Sequence, residues 1–152
     1  MEKHTYNVDI NWNQDRKGMM CSPELAEGNK ASSNCIEVAT PPEFPKGIPH
    51  IWSPEHLFTA SVSSCLMTTF LAIAENSKLD FIGFSCKSKG ILDKLDGKYA
   101  MTEVILEPTV TIKTEKDVER AQRVLQKSEA ACLITNSIKS KVSMNPKIIV
   151  ES

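Results

Sequence analysis

Residues 53–79 read SPEHLFTASVSSCLMTTFLAIAENSKL, and the fold turns on how that stretch is read. Ser53 is a helix N-cap by type, Pro54 occupies a first position where a missing N–H costs nothing, and Glu55 puts an anion in the positive first turn. From Leu57 to Ala74 no side chain is charged, and apolar or small residues fall on every face. A helix with no polar face has to be enclosed by protein on nearly all sides. The run approaches the length of a membrane span. Thr59, Ser61, Ser63, Ser64, Thr68 and Thr69 interrupt it, however, and neither flank has the Lys/Arg asymmetry of a spanning helix. It reads as the central helix of a core, with no membrane partner. Cys65 lies at its middle. Taken alone, a cysteine there reads as a small core hydrophobe sooner than as a reactive thiol.

A chain of 152 residues suits one domain, 1–152, with a core of useful size. A net charge of −1 gives no footing for nucleic acid or an anionic membrane. The opening MEKHTYNVDINW is polar and alternating, unlike a signal peptide. Five cysteines make an odd number, without a CxxC or a Cys/His pair at zinc spacing. The expectation is a cytoplasmic protein with reduced thiols, no metal site and no disulfide framework, in which a functional cysteine would be redox-active or nucleophilic.

Around the central helix the chain alternates between extended and helical patterns. Tyr6, Val8, Ile10 and Trp12 alternate with polar residues, as in a half-buried strand. Asn13 to Gly18 reads as a turn, Met19–Cys21 as the second strand of a hairpin, and residues 33–39 as a third strand. Pro41, Pro42, Pro45 and Pro49 rule out helix or central strand, so 41–49 is an ordered loop over the start of the helix. Beyond the helix, Asp96-Gly97 signals a tight hairpin between strands 81–95 and 99–113, with Pro108 at a bulge or edge. Thr114 caps a second helix whose buried stripe is Val118, Ala121, Val124, Leu125 and Ser128. ACLI (131–134) continues or restarts it, and Lys141 to Val150 closes as a strand. The order gives an α+β fold, an antiparallel sheet with a long buried central helix and a second amphipathic helix. One sheet cannot cover such a helix, so a second copy is expected to, in a homodimer.

The segment SPEHLFTASVSSCLMTTF, with Glu55 ten residues before Cys65, resembles the central-helix motif of the organic hydroperoxide resistance and osmotically inducible protein (OsmC/Ohr) family. ACLITNSIKSKVSMNPKI, carrying Cys132, resembles that family's second-cysteine motif. The resemblance covers most of the chain. It implies a cofactor-free thiol peroxidase in an intertwined homodimer, with an organic hydroperoxide as substrate and a dithiol reductant, lipoyl-linked in some members. It makes Cys65 the peroxidatic residue and Cys132 the resolving one. A thiolate must attack the O–O bond, so a buried Cys65 would need a cation beside it to lower its pKa. The resemblance gives that role to Arg16 in the first hairpin turn, held by Glu55 of the Pro-Glu motif. Some branches take the arginine from the stretch matching residues 37–45, where this chain has none.

Other residues read more plainly. Cys21, Cys35 and Cys86 belong to strand cores or faces. His56 begins a helix with nothing nearby in sequence to orient it. Phe44, Ile48, Trp52 and Met20 are core, with an apolar substrate pocket as the alternative. Two rival functions remain: a non-catalytic stress or ligand-binding protein of the same fold, and a hotdog-type thioesterase, which also wraps a long helix in sheet and needs no cysteine pair.

Overall fold

In the computed structural model, which describes residues 2–30 and 34–151, the chain divides into two compact units, residues 1–57 and 58–152. The first is built on strands β1 (Asp9–Gln14), β2 (Lys17–Cys21) and β3 (Ile36–Ala39), antiparallel in the order β1-β2-β3. The turn between β1 and β2 is tighter than expected: Asp15 takes φ 49° and Lys17 already pairs with Gln14. Gly18 is required in β2, because a Cβ there would meet the Asn11 carbonyl. The third strand, expected from Ser33, is formed at Ile36–Ala39; Ser33 itself lies outside the described residues.

Two expectations change in this unit. The stripe expected to be half-buried is open to solvent, with Ile10 63% and Trp12 77% exposed. Cys21 and Cys35 form a disulfide rather than lying in the sheet as reduced side chains. The β2–β3 register, which pairs Met20 with Ile36, puts these cysteines opposite each other at a Cα separation of 4.4 Å, within bridging range. The Pro-rich stretch is an ordered series of turns, as expected. Phe44 N–H donates to Pro41 O, Gly47 N–H to Phe44 O, and Ile48 N–H to Thr40 O.

Helix α1 (Pro54–Asn76) carries four fully buried side chains at four-residue intervals: Val62, Leu66, Phe70 and Ala74. Its opposite face is partly open, with Met67 41% and Leu71 43% exposed. Among the described residues α1 is the one helix long and apolar enough to cross a membrane by length and composition. In the second unit it is a core element. Strands β4 (Phe81–Leu95) and β5 (Lys98–Ile112) form the expected hairpin, with Asp96 at φ 53° and Gly97 at φ 79°, the left-handed pair a type I′ turn requires. Helix α2 (Val118–Ala131) buries Ala121, Val124, Leu125 and Ser128.

The closing strand is broken in two, β6 (Lys141–Met144) and β7 (Lys147–Val150), both parallel to β5. The fold is α+β as expected, but this sheet is mixed rather than purely antiparallel. Pro108 falls in the gap between the pairings of β6 with 103–106 and β7 with 109–112. A proline with no N–H to give is accommodated there inside a central strand. One core cluster joins Phe70, Val110, Ile112, Val124 and Leu125; another joins Val62, Leu66, Val104 and Leu106, with Ile134 and Ile138 packed on it.

Candidate active site

The packing of Ile134 and Ile138 onto the Leu66 cluster brings the segment after α2 against α1. Cys65 lies on α1 between the buried positions Val62 and Leu66, half-buried, with its Sγ 3.9 Å from Thr69 Oγ1 one turn on. Cys132 is not helical as expected. It is the C-cap of α2, extended at φ −66° and ψ 109°, and only 1% exposed. The chain then enters a short 3-10 turn, Thr135–Ser137, with Asn136 N–H donating to Cys132 O at 3.0 Å.

This arrangement polarises the two thiols in opposite directions. Burial works to raise the Cys65 pKa. Hydrogen bonds from the Ile134 N–H, the Cys132 S–H, the Thr69 hydroxyl and the Leu133 N–H outweigh it, and the net pKa lies below the usual thiol range. Burial raises the Cys132 pKa, the neighbouring Cys65 raises it further, and Thr135 offsets this only in part. Cys65 is therefore the more readily ionised of the two thiols, and Cys132 the one that holds its proton more firmly. All four donors are uncharged groups of the same unit. Thr69, Thr135 and the amides of Leu133 and Ile134 were not singled out from sequence. The spacing of Thr69 four residues after Cys65 was the available signal.

The other expected site residues lie in the first unit. Arg16 is exposed in the β1–β2 turn, where its carbonyl accepts the Thr40 N–H at 3.1 Å; among the described residues it forms no ion pair. Glu55 is half-buried in the first turn of α1, with Oε1 shielded from solvent. His56 does have an orienting partner. The fully buried Ser53 hydroxyl accepts the His56 N–H at 3.1 Å and lies 2.6 Å from its Nδ1, while Trp52 meets the ring edge-on at 6.3 Å. Ser53 is thus committed to capping the helix. Cys86 is half-buried beside Ser88 on β4, the strand role read for it.

An apolar hollow of about 450 Å³ opens in the first unit. Ile10, Trp12, Val38, Ala39 and Pro54 line it with Arg16, rather than Phe44, Ile48, Trp52 and Met20. Among the described residues no three His, Cys, Asp or Glu side chains converge as metal ligands.

Comparison with known proteins agrees with this architecture. The sequence pattern of the family described as OsmC-like protein matches residues 47–147. The uncharacterized protein YmaD of Bacillus subtilis is 24% identical over 147 residues, covering 95% of this chain and 93% of that protein. An OsmC-like protein of unknown function from Vibrio cholerae superposes with a TM-score of 0.81 at 20% identity, covering 95% and 99% of the two chains. An organic hydroperoxide resistance protein from Legionella pneumophila superposes with a TM-score of 0.73 at 18% identity, covering 99% and 100%.

Proposed function

Since the chain belongs to the OsmC-like protein family, we propose that it is a cysteine-based thiol peroxidase that reduces organic hydroperoxides to alcohols. The observation that carries this reading is the paired, oppositely shifted thiols of Cys65 and Cys132. Membership of the family supplies no basis for the thioesterase alternative. The name of the Legionella protein supports hydroperoxides as the substrate class.

The Cys65 thiolate attacks the terminal peroxide oxygen, the O–O bond breaks, and the alkoxide leaves and is protonated to the alcohol. Cys65 is left as a sulfenic acid. Cys132 then attacks that sulfur, water leaves, and a disulfide forms. A dithiol, lipoyl-linked as in some relatives of this family, returns two electrons and two protons and regenerates both thiols. Arg16 and Glu55 are proposed as the guanidinium that steadies the developing charge and the carboxylate that orients it. We place the protein in the cytoplasm as a homodimer, whose second copy covers the exposed Met67 and Leu71 of α1.

The test is a thiol count with peptide mapping after one equivalent of tert-butyl hydroperoxide. Three free thiols, Cys65, Cys86 and Cys132, should fall to Cys86 alone, with a Cys65–Cys132 bridge in the digest. No loss of thiol would point to a fold kept for ligand binding. Arg16→Ala at an undiminished peroxide rate would remove Arg16 from the mechanism without touching the thiols' roles.

A further inference from the structure

The disulfide between Cys21 and Cys35 takes no part in the chemistry above, and its position is informative. Thr40 N–H bonds to Arg16 O, and the β2–β3 register then runs through Lys17–Ala39, Gly18–Val38, Met19–Glu37 and Met20–Ile36. Continued by one rung, it reaches Cys21 and Cys35. In an antiparallel ladder hydrogen-bonded and non-hydrogen-bonded pairs alternate, so counting from Arg16–Thr40 makes Cys21–Cys35 a non-hydrogen-bonded pair. The 4.4 Å between their Cα atoms is the spacing of such a pair. The covalent bond therefore replaces hydrogen bonds where the ladder has none, and the Arg16 turn stands at the other end of the same ladder.

β3 is a short partner for β2. The strand is four residues long. Among the described residues, one ion pair crosses the ladder, Lys17 Nζ to Glu37 Oε2 at 3.4 Å, and it is largely exposed and worth little. On its far side, Ala39 N–H donates to Trp52 O at 2.8 Å, so β3 also ties down the residue before the α1 cap. Both cysteines are half-buried, open to attack by a small thiol. In reducing surroundings a bridge of this kind is transient and redox-sensing more often than structural.

We propose that Cys21 and Cys35 are a second redox site, opened by dithiols and closed by oxidants such as organic hydroperoxides, whose state sets how firmly the β2–β3 ladder and its Arg16 turn are held. On opening, a dithiol thiolate attacks one sulfur and the other cysteine leaves as a thiolate. The second thiol of the reductant then closes a cyclic disulfide, so two electrons and two protons pass to the protein. On closing, two thiols give up two electrons to a hydroperoxide, which becomes alcohol and water.

The site needs neither Cys65 nor Cys132, so it is tested in the full-length Cys65→Ser protein, where the helix-borne pair cannot bridge. The protein is oxidised, titrated with dithiothreitol, and followed by peptide mapping and amide hydrogen exchange. The expected result is a Cys21–Cys35 linked peptide that disappears with dithiothreitol while exchange across 16–21 and 36–40 accelerates, by roughly a hundredfold if the closed loop contributes its usual entropy. The double variant Cys21→Val/Cys35→Val, which keeps strand propensity, should exchange rapidly at every dithiol concentration. Absence of the linked peptide after oxidation would overturn the proposal, as would exchange that is unchanged when the bridge opens. Failure of Cys65→Ser on peroxide would concern only the helix-borne pair.

Discussion

At Cys65 the ionisation state rests on identifiable donors, and each can be removed alone. Cys132→Ala removes the S–H donor, so the pH midpoint of Cys65 alkylation should move upward. Cys132→Ser, which keeps an O–H donor, should move it less, and should let Cys65 over-oxidise to the sulfinic acid under excess peroxide, visible as a mass gain. In the unaltered protein, a lowered pKa means that the first peroxide step persists below the ordinary thiol range and declines as pH falls through that lowered value. Stopped-flow rates across pH check this; a midpoint at the free-cysteine value would contradict the hydrogen-bonding account. The two cysteines were legible as residue types in their motifs. Their polarisation was not, because half of the donors are backbone amides of Leu133 and Ile134, which any residue carries. Cys21 and Cys35 were likewise misread, since only the pairing of two strands reveals that they face each other.

Individual elements follow their local chemistry with few exceptions. The Ser53 cap of α1 is buried and bonded to the His56 N–H, so Ser53→Ala should lower stability by about 1 kcal/mol in urea unfolding. Leu66 lies at 0% exposure in the cluster that seats the Cys132 segment. Leu66→Ala should cost about 2–5 kcal/mol and slow the Cys65 reaction together with it. At Gly90 of β4 a Cβ would collide with the Thr59 side chain of α1, so Gly90→Val should force helix and strand apart and lower the melting temperature. The boundaries of α1, the type I′ turn at Asp96-Gly97 and the buried stripe of α2 were readable from period and turn chemistry. The direction of β6 and β7 was not. Alternation reports which faces are covered, whereas parallel or antiparallel pairing depends on where the preceding α2 returns the chain.

For the whole molecule the unmet expectation is as useful as the met ones. A helix without a polar face predicts cover on all sides, and the single chain leaves Met67 and Leu71 bare, along with Ile10 and Trp12 of β1. Sedimentation equilibrium should give twice the chain mass, and Leu71→Asp should shift the population to monomer. A monomeric unaltered protein at micromolar concentration would contradict the homodimer. Sequence reading did not anticipate that the β1 stripe is open in the single chain, because alternation in a strand looks the same whether or not its apolar face is covered.

The parallel docking of β6 and β7 bears on biosynthesis. Until residues 141–150 have left the ribosome, the side of β5 that they occupy is a bare strand edge, a template for pairing with other chains. The sheet of the second unit is therefore complete only once β6 and β7 have been synthesised, and β5 is open to mispairing through that interval. Glu151 N–H donates to Ile112 O at 2.8 Å immediately beyond β7, so the pairing with β5 continues one residue past that strand.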